Sequence, residues 1–153
     1  LAEAWNAELL NQGIGGHIFD AAYIDENLPF TPDLVTIAYG TNDWSRGLSP
    51  DAVRRAAAAC LARIADLWPC ARVALLTPFW RACQADTKAG GTLADIRAAI
   101  AAAPSGAAAA RCTVLAGETL IPNEARYFSD GTHPNDLGFG CCAAALANRL
   151  LRP

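Results

Sequence analysis

The sequence contains no methionine, and none of its six cysteines is placed as C-x-x-C. Cys60, Cys70, Cys83, Cys112 and the adjacent pair Cys141-Cys142 therefore lack the spacing of a zinc site or of a disulfide framework. Cys60, Cys112 and Cys142 fall at apolar positions of expected helices and strands, which reads as reduced, packed thiols and suits the cytoplasm. There is no surplus of positive charge: the net charge is −3, and a nucleic-acid groove is not expected. No run approaches the roughly 18 apolar residues of a membrane span. The alanine-rich stretch from Ala98 to Ala110 is broken by Pro104, Ser105 and Gly106. No signal peptide, internal repeat or linker is visible.

What is present suits one domain over residues 1–153. A chain of 153 residues buries about two-thirds of its unfolded surface. It is 53% hydrophobic, but much of that is alanine, so mean hydropathy overstates the bulky core. Apolar runs at Leu34–Tyr39, Val73–Thr77 and Cys112–Leu115 have the continuous character of strands buried on both faces. Helical periodicity lies between them. Ser49-Pro50-Asp51 opens one helix, with Val53, Ala57, Cys60, Leu61, Ile64 and Trp68 on its inner face and Pro69 as its stop. Arg54, Arg55 and Arg63 fall off that face and read as solvated.

Thr92 is expected to cap a second helix that reaches about Ala103, with Leu93, Ile96, Ala99 and Ile100 inward. Asn135 or Asp136 caps a last helix whose apolar side is expected at Leu137, Cys141, Ala145, Leu146 and Leu150. Leu1–Leu9 reads as the end of a helix without an N-cap, and Leu9–Asn11 as a short strand. A short helix is expected around Ala21–Glu26. Alternating strands and helices give an α/β fold with a parallel sheet.

Three clusters carry chemistry. Asp130-Gly131-Thr132-His133 sets a carboxylate three residues before an imidazole, close enough to fix the tautomer and leave the second ring nitrogen as a base. Gly40-Thr41-Asn42-Asp43 ends the strand at Leu34, and strand ends are where open α/β sheets build their sites. A neutral amide such as Asn42 can donate to an oxyanion without altering the charge of a pocket. Asn11-Gln12-Gly13-Ile14-Gly15-Gly16 is a glycine turn that lets backbone approach closely. It does not read as a dinucleotide fingerprint, because Ile18 stands where the third glycine would be. Base, orienter and oxyanion donors make an acyl-transfer site that still needs a nucleophile.

In these blocks the sequence resembles the SGNH (GDSL-type) esterases and acylhydrolases. Gly13-Ile14-Gly15-Gly16 looks like that family's glycine block, Gly40-Thr41-Asn42-Asp43 like its G-x-N-D block, and Asp130-Gly131-Thr132-His133-Pro134-Asn135 like its D-x-x-H-P-N block. The resemblance implies a flavodoxin-like three-layer α/β/α sandwich. It implies His133 and Asp130 as triad members, and Asn42 and Gly16 as oxyanion donors. Ester hydrolysis without metal or cofactor is the implied activity, on a small-molecule, carbohydrate or lipid ester. The family's G-D-S block is absent, since Ser45, Ser49, Ser105 and Ser129 all lie in other contexts. The expectation is a domain lacking its first strand and nucleophile, which lie ahead of residue 1, so that these 153 residues alone are inactive. The alternative is a non-catalytic binding or interaction domain on the same fold. Trp44, Trp80 and Arg81, with Phe79 and Tyr127, are candidates to line a substrate pocket. His17 reads as a surface residue. Oligomeric state is not legible.

Overall fold

A computed structural model describes residues 2–150. Its centre is a parallel sheet of β1 (Leu34–Ile37), β2 (Arg72–Leu76) and β5 (Cys112–Leu115), in the order β1-β2-β5. Val35 lies opposite Val73 and Leu75 opposite Val114, so β2 is central and hydrogen-bonded on both sides. Successive side chains on a strand point to opposite faces, and β2 shows the result. Val73 and Leu75 join one buried cluster with α3 (Pro50–Leu67) and α4 (Leu93–Ala101). Ala74 and Leu76 join a second cluster with α6 (Asp136–Leu150). Helices on both faces of a parallel sheet make the three-layer α/β/α sandwich expected from the sequence.

α3 is built as its sequence requires. The Ser49 hydroxyl accepts from the Ala52 N–H, and Pro50 occupies the first turn. Val53, Ala57, Cys60, Leu61 and Ile64 are buried along one stripe. Each large side chain among them contributes about 1.5–3 kcal/mol by leaving water. Arg54 and Arg55 pair with Asp51 one turn back, and Arg63 pairs with Glu26. α4 opens on a reciprocal capping box: Thr92 Oγ1 accepts from the Asp95 N–H, and the Asp95 carboxylate accepts from the Thr92 N–H. Burial pushes the thiols of Cys60 and Cys142 up to about 11, as it does for packed, unreactive cysteines. No helix among the described residues is long and apolar enough to cross a membrane.

The structure departs from the sequence expectation in several places. α1 is only Ala2–Trp5, and Asn6 ends it in the left-handed region at φ 49°. Leu9–Asn11 is not a strand. Leu9 is 76% exposed and pairs with neither sheet edge, and an extended segment without a partner is not held as a strand. β1 ends at Ile37 instead of Tyr39, because Gly40 turns the chain into a short helix, α2 (Thr41–Ser45). The expected helix at Ala21–Glu26 is a single 3-10 turn, Ala21–Tyr23, capped by Asp20. The stretch between α4 and β5 contains α5 (Gly106–Ala109). A small hairpin, β3 (Thr87–Lys88) with β4 (Gly91–Thr92), precedes α4 and was not foreseen.

The inner face of α6 is also corrected. Gly138, Cys142, Leu146 and Leu150 are buried, whereas Leu137 is 57% exposed. Asn135 sets this phase: its side-chain oxygen accepts from the Gly138 N–H and its side-chain amide donates to the Arg126 carbonyl.

Candidate active site

The site is assembled at the C-terminal ends of β1 and β2. Gly40 leaves β1 at φ 107°, a conformation that costs little only without a side chain. This tight turn places α2 directly after the strand. The first turn of α2 carries Asn42 and Asp43, one residue apart and pointing to different tasks.

Asp43 is fully buried. One carboxylate oxygen accepts from the Gly40 N–H at 3.1 Å and the other from the Phe19 N–H at 3.2 Å. Burial pushes the carboxyl above its ordinary range, against the pull of those N–H groups and of the nearby Arg46 charge. Asn42 donates its Nδ2 to the His17 carbonyl at 2.9 Å. Arg46, just after α2, donates Nη2 to the Gly16 carbonyl at 2.8 Å. Three side chains on or next to one short helix thus grip Gly16, His17 and Phe19 of the glycine loop.

Gly16 itself has φ 79°, which suits glycine, and its N–H meets no acceptor among the described residues. His17 is half-buried, its ring 4.2 Å from that of Tyr23, and Nδ1 meets no protein partner among the described residues. It is packed more closely than a free surface residue.

Asp130 and His133 are brought together by their own turn. The Asp130 Oδ1 accepts from the N–H groups of Thr132 and His133 at 2.9 and 2.8 Å, and Oδ2 meets His133 Nδ1 at 2.7 Å. The backbone N–H of His133, then its ring, then the Thr132 N–H hold the Asp130 carboxyl down at about 2. Both side chains are open to solvent, the imidazole 75% and the carboxylate 55% exposed. A backbone bond from Ser129 to His133 and a bridge between Phe128 and Pro134 close the turn beneath them.

The segment after β2 connects the two halves. The Ala82 N–H donates to the Gly131 carbonyl at 2.8 Å, inside the turn of the Asp-His pair. Arg81 donates Nη1 to Ser45 Oγ at 2.8 Å and lies 3.4 Å from the Thr41 carbonyl, both on α2. Arg97 of α4 supports this strap from inside through the carbonyls of Pro78 and Phe79. The strap therefore touches both the Asn42 helix and the His133 turn.

Trp44, expected as a pocket wall, is only 1% exposed and belongs to the core beneath the strap, its indole N–H bonded to the Gly91 carbonyl. Trp80 is half-buried against Phe128, with ring centroids 5.0 Å apart. Arg81 is half-buried and follows it on the strap. Two hollows elsewhere, one beside Trp68 and Arg111 and one beside Asp25 and Arg63, contain none of the candidate residues. Among the described residues no three His, Cys, Asp or Glu side chains gather as a metal site would need. Sequence reasoning named Asp43 only as part of its block, without a role, and overlooked Arg46 and Arg97. Asp43 left one signal, an acidic residue three positions after the glycine that opens a helix. The other two left none.

Residues 1–140 match the model of the GDSL-like lipase/acylhydrolase family. The chain belongs to that family. Solved structures with the same fold include a protein from Chitinophaga pinensis DSM 2588 named as a possible lipase, 19% identical, with a TM-score of 0.74 over 96% of this chain and 84% of that one. A protein from Parabacteroides merdae ATCC 43184 assigned as a GDSL-like lipase is 16% identical, with a TM-score of 0.75 over 96% of this chain and 76% of its own. A peptidoglycan O-acetylesterase is 18% identical, with a TM-score of 0.61 over 77% of this chain and 37% of its own. At these identities the likeness is one of fold. No curated protein matches the chain by sequence.

Proposed function

We propose that this domain is the body of a carboxylic-ester hydrolase that works by Ser-His-Asp acyl-enzyme chemistry, with the nucleophilic serine on a segment ahead of Leu1. The observation that carries the reading is the Asp130–His133 pair at 2.7 Å, on a turn tied through Ala82 to the strap that touches the Asn42 helix. In the reaction the serine Oγ attacks the ester carbonyl carbon and His133 Nε2 takes its proton. Asp130 holds the ring through Nδ1. The carbonyl oxygen becomes an oxyanion facing the second N–H of Asn42 and the backbone N–H of Gly16. As the intermediate collapses, the C–O bond to the alcohol breaks and His133 returns its proton to the departing oxygen. Water then repeats the sequence on the acyl-enzyme. Serines on the chain itself are less suited: Ser45 Oγ is held between Arg81 and the Thr41 carbonyl, and Ser49 caps α3.

Membership of the lipase/acylhydrolase family and the likeness to a peptidoglycan O-acetylesterase support short acyl esters, including acetylated carbohydrate, as the substrates to try first. The test compares the 153-residue chain with the same chain extended by its upstream coding sequence, each also as His133→Ala, on phenyl acetate. The short chain falls far below the extended one, because removing the nucleophile of a triad costs on the order of 10⁶-fold in kcat. Hydrolysis appears with the extension and is lost in His133→Ala. Strong His133-dependent turnover by the short chain overturns the proposal and makes Ser45 or an activated water the nucleophile. No hydrolysis by an extended chain that carries a G-D-S turn favours a binding domain.

A further inference from the structure

We infer that Arg81 is a specificity residue that receives a carboxylate on the ester substrate; this rests on the ester-hydrolase reading above. Among the described residues, Arg54, Arg55, Arg63, Arg97 and Arg126 each meet an acid. Arg81 meets none; Arg46, Arg72, Arg111 and Arg149 also meet none but are exposed, so among the described residues Arg81 is the half-buried arginine without an acid. Its Nη1 is spent on a hydroxyl and a carbonyl of α2, which orient a guanidinium without neutralising it. Its Nε–H is buried and has no protein acceptor among the described residues.

From below, the group rests over the buried Trp44 ring, 5.1 Å from its centre. On the same ring lies Lys88, 5.0 Å away, but Lys88 has Asp86 as its partner. A planar guanidinium matches a carboxylate in particular.

Position supplies the rest. Arg81 sits between Ala82, which is bonded to the turn of the Asp-His pair, and α2, which carries Asn42. The carboxylate held there is proposed to belong to the same ester that meets the Asp-His pair. The chemical class is thus an ester with a carboxylate on either its alcohol or its acyl part.

Two measurements test this. The first uses the chain extended upstream, with phenyl acetate as the neutral ester, 4-acetoxybenzoate as the ester charged on the leaving side and monophenyl succinate as the one charged on the acyl side. Arg81→Gln lowers the ratio of kcat/KM for one charged ester over the neutral ester by about 10- to 100-fold, through KM, as loss of a charge-assisted bond predicts. Which charged ester responds tells the side on which the carboxylate lies. Arg81→Lys recovers part of the ratio, and Arg54→Gln on α3 leaves it in place. An unchanged ratio in Arg81→Gln overturns the proposal, as does an equal loss on all three esters, which would make Arg81 only a strut for the strap. The second measurement needs no turnover. In the 153-residue chain, the Arg81 Nε–H resonance shifts with benzoate and not with benzyl alcohol. A shift with benzoate and no hydrolysis by any chain removes the ester-hydrolase reading and leaves the anion site standing. Hydrolysis without any benzoate-dependent shift removes the anion site alone.

Discussion

Asn42 and His17 are 25 residues apart in the chain, and the side-chain amide of Asn42 donates to the backbone carbonyl of His17 at 2.9 Å. An amide has two N–H groups, so this bond leaves one free while fixing the plane in which it lies. Oxyanion donors are effective when they are held in place before charge develops. In the serine-bearing chain, Asn42→Ala is expected to lower kcat on phenyl acetate by about 10²- to 10³-fold. The same change should cost only about 0.5–1.5 kcal/mol of stability in urea unfolding. Loss of activity no greater than the loss of folded protein would make Asn42 a structural residue.

Asp43 provides a separable test, because it is fully buried. Both of its oxygens accept backbone N–H groups, from Phe19 and Gly40. Asparagine can replace only one of those acceptors, and it turns an NH2 toward the other donor. Asp43→Asn should therefore lower the unfolding free energy by about 1–3 kcal/mol. Exchange of the Phe19 amide hydrogen should accelerate with it. An unchanged Phe19 amide would show that the glycine loop is not held from α2.

Gly40 is a third point of leverage. An added Cβ would clash with Ile100 Cδ1 and stand 3.0 Å from Pro78 Cγ, at a φ of 107°. Left-handed backbone costs a substituted residue about 1–2 kcal/mol, and overpacking about 1–3 more. Gly40→Ala should lose roughly 2–5 kcal/mol in urea unfolding on those terms. A smaller loss would mean that Ile100 and Pro78 move aside easily.

Acid titration reports on the Asp130 turn. Its carboxyl is held at about 2, below an ordinary 3.8, chiefly by the His133 N–H. A depressed carboxylate favours the folded turn above the unfolded value, and that contribution fades as pH falls through the folded value. The 13C carboxyl signal of Asp130 should titrate near 2, and the Thr132 and His133 amide signals should move with it. In His133→Ala the backbone bonds persist, so the midpoint should rise only part of the way. A wild-type midpoint at 3.8 would show that the turn is not closed in solution.

What the sequence by itself determined is whatever a few neighbouring residues decide. The Asp130–His133 pair is one case, since its members are three positions apart and the Asp130 carboxylate builds the turn through the N–H groups it accepts. The caps at Ser49 and Thr92 are others, as is the burial of β2 on both faces. The tertiary structure decided everything that needs a partner far along the chain. Leu9–Asn11 has strand-like residues, but a strand is a relation between two segments, and here it pairs with none of the described strands. The inner face of α6 follows from where Asn135 starts the helix against Arg126, which rotates Leu137 outward. Trp44, an aromatic expected to line a pocket, is instead turned into the core by an α2 of five residues. Arg46 on Gly16, and Arg81 on α2, join residues 30 and 36 positions apart. No local propensity encodes such bonds, because their geometry exists only after the sheet has set β1 beside β2.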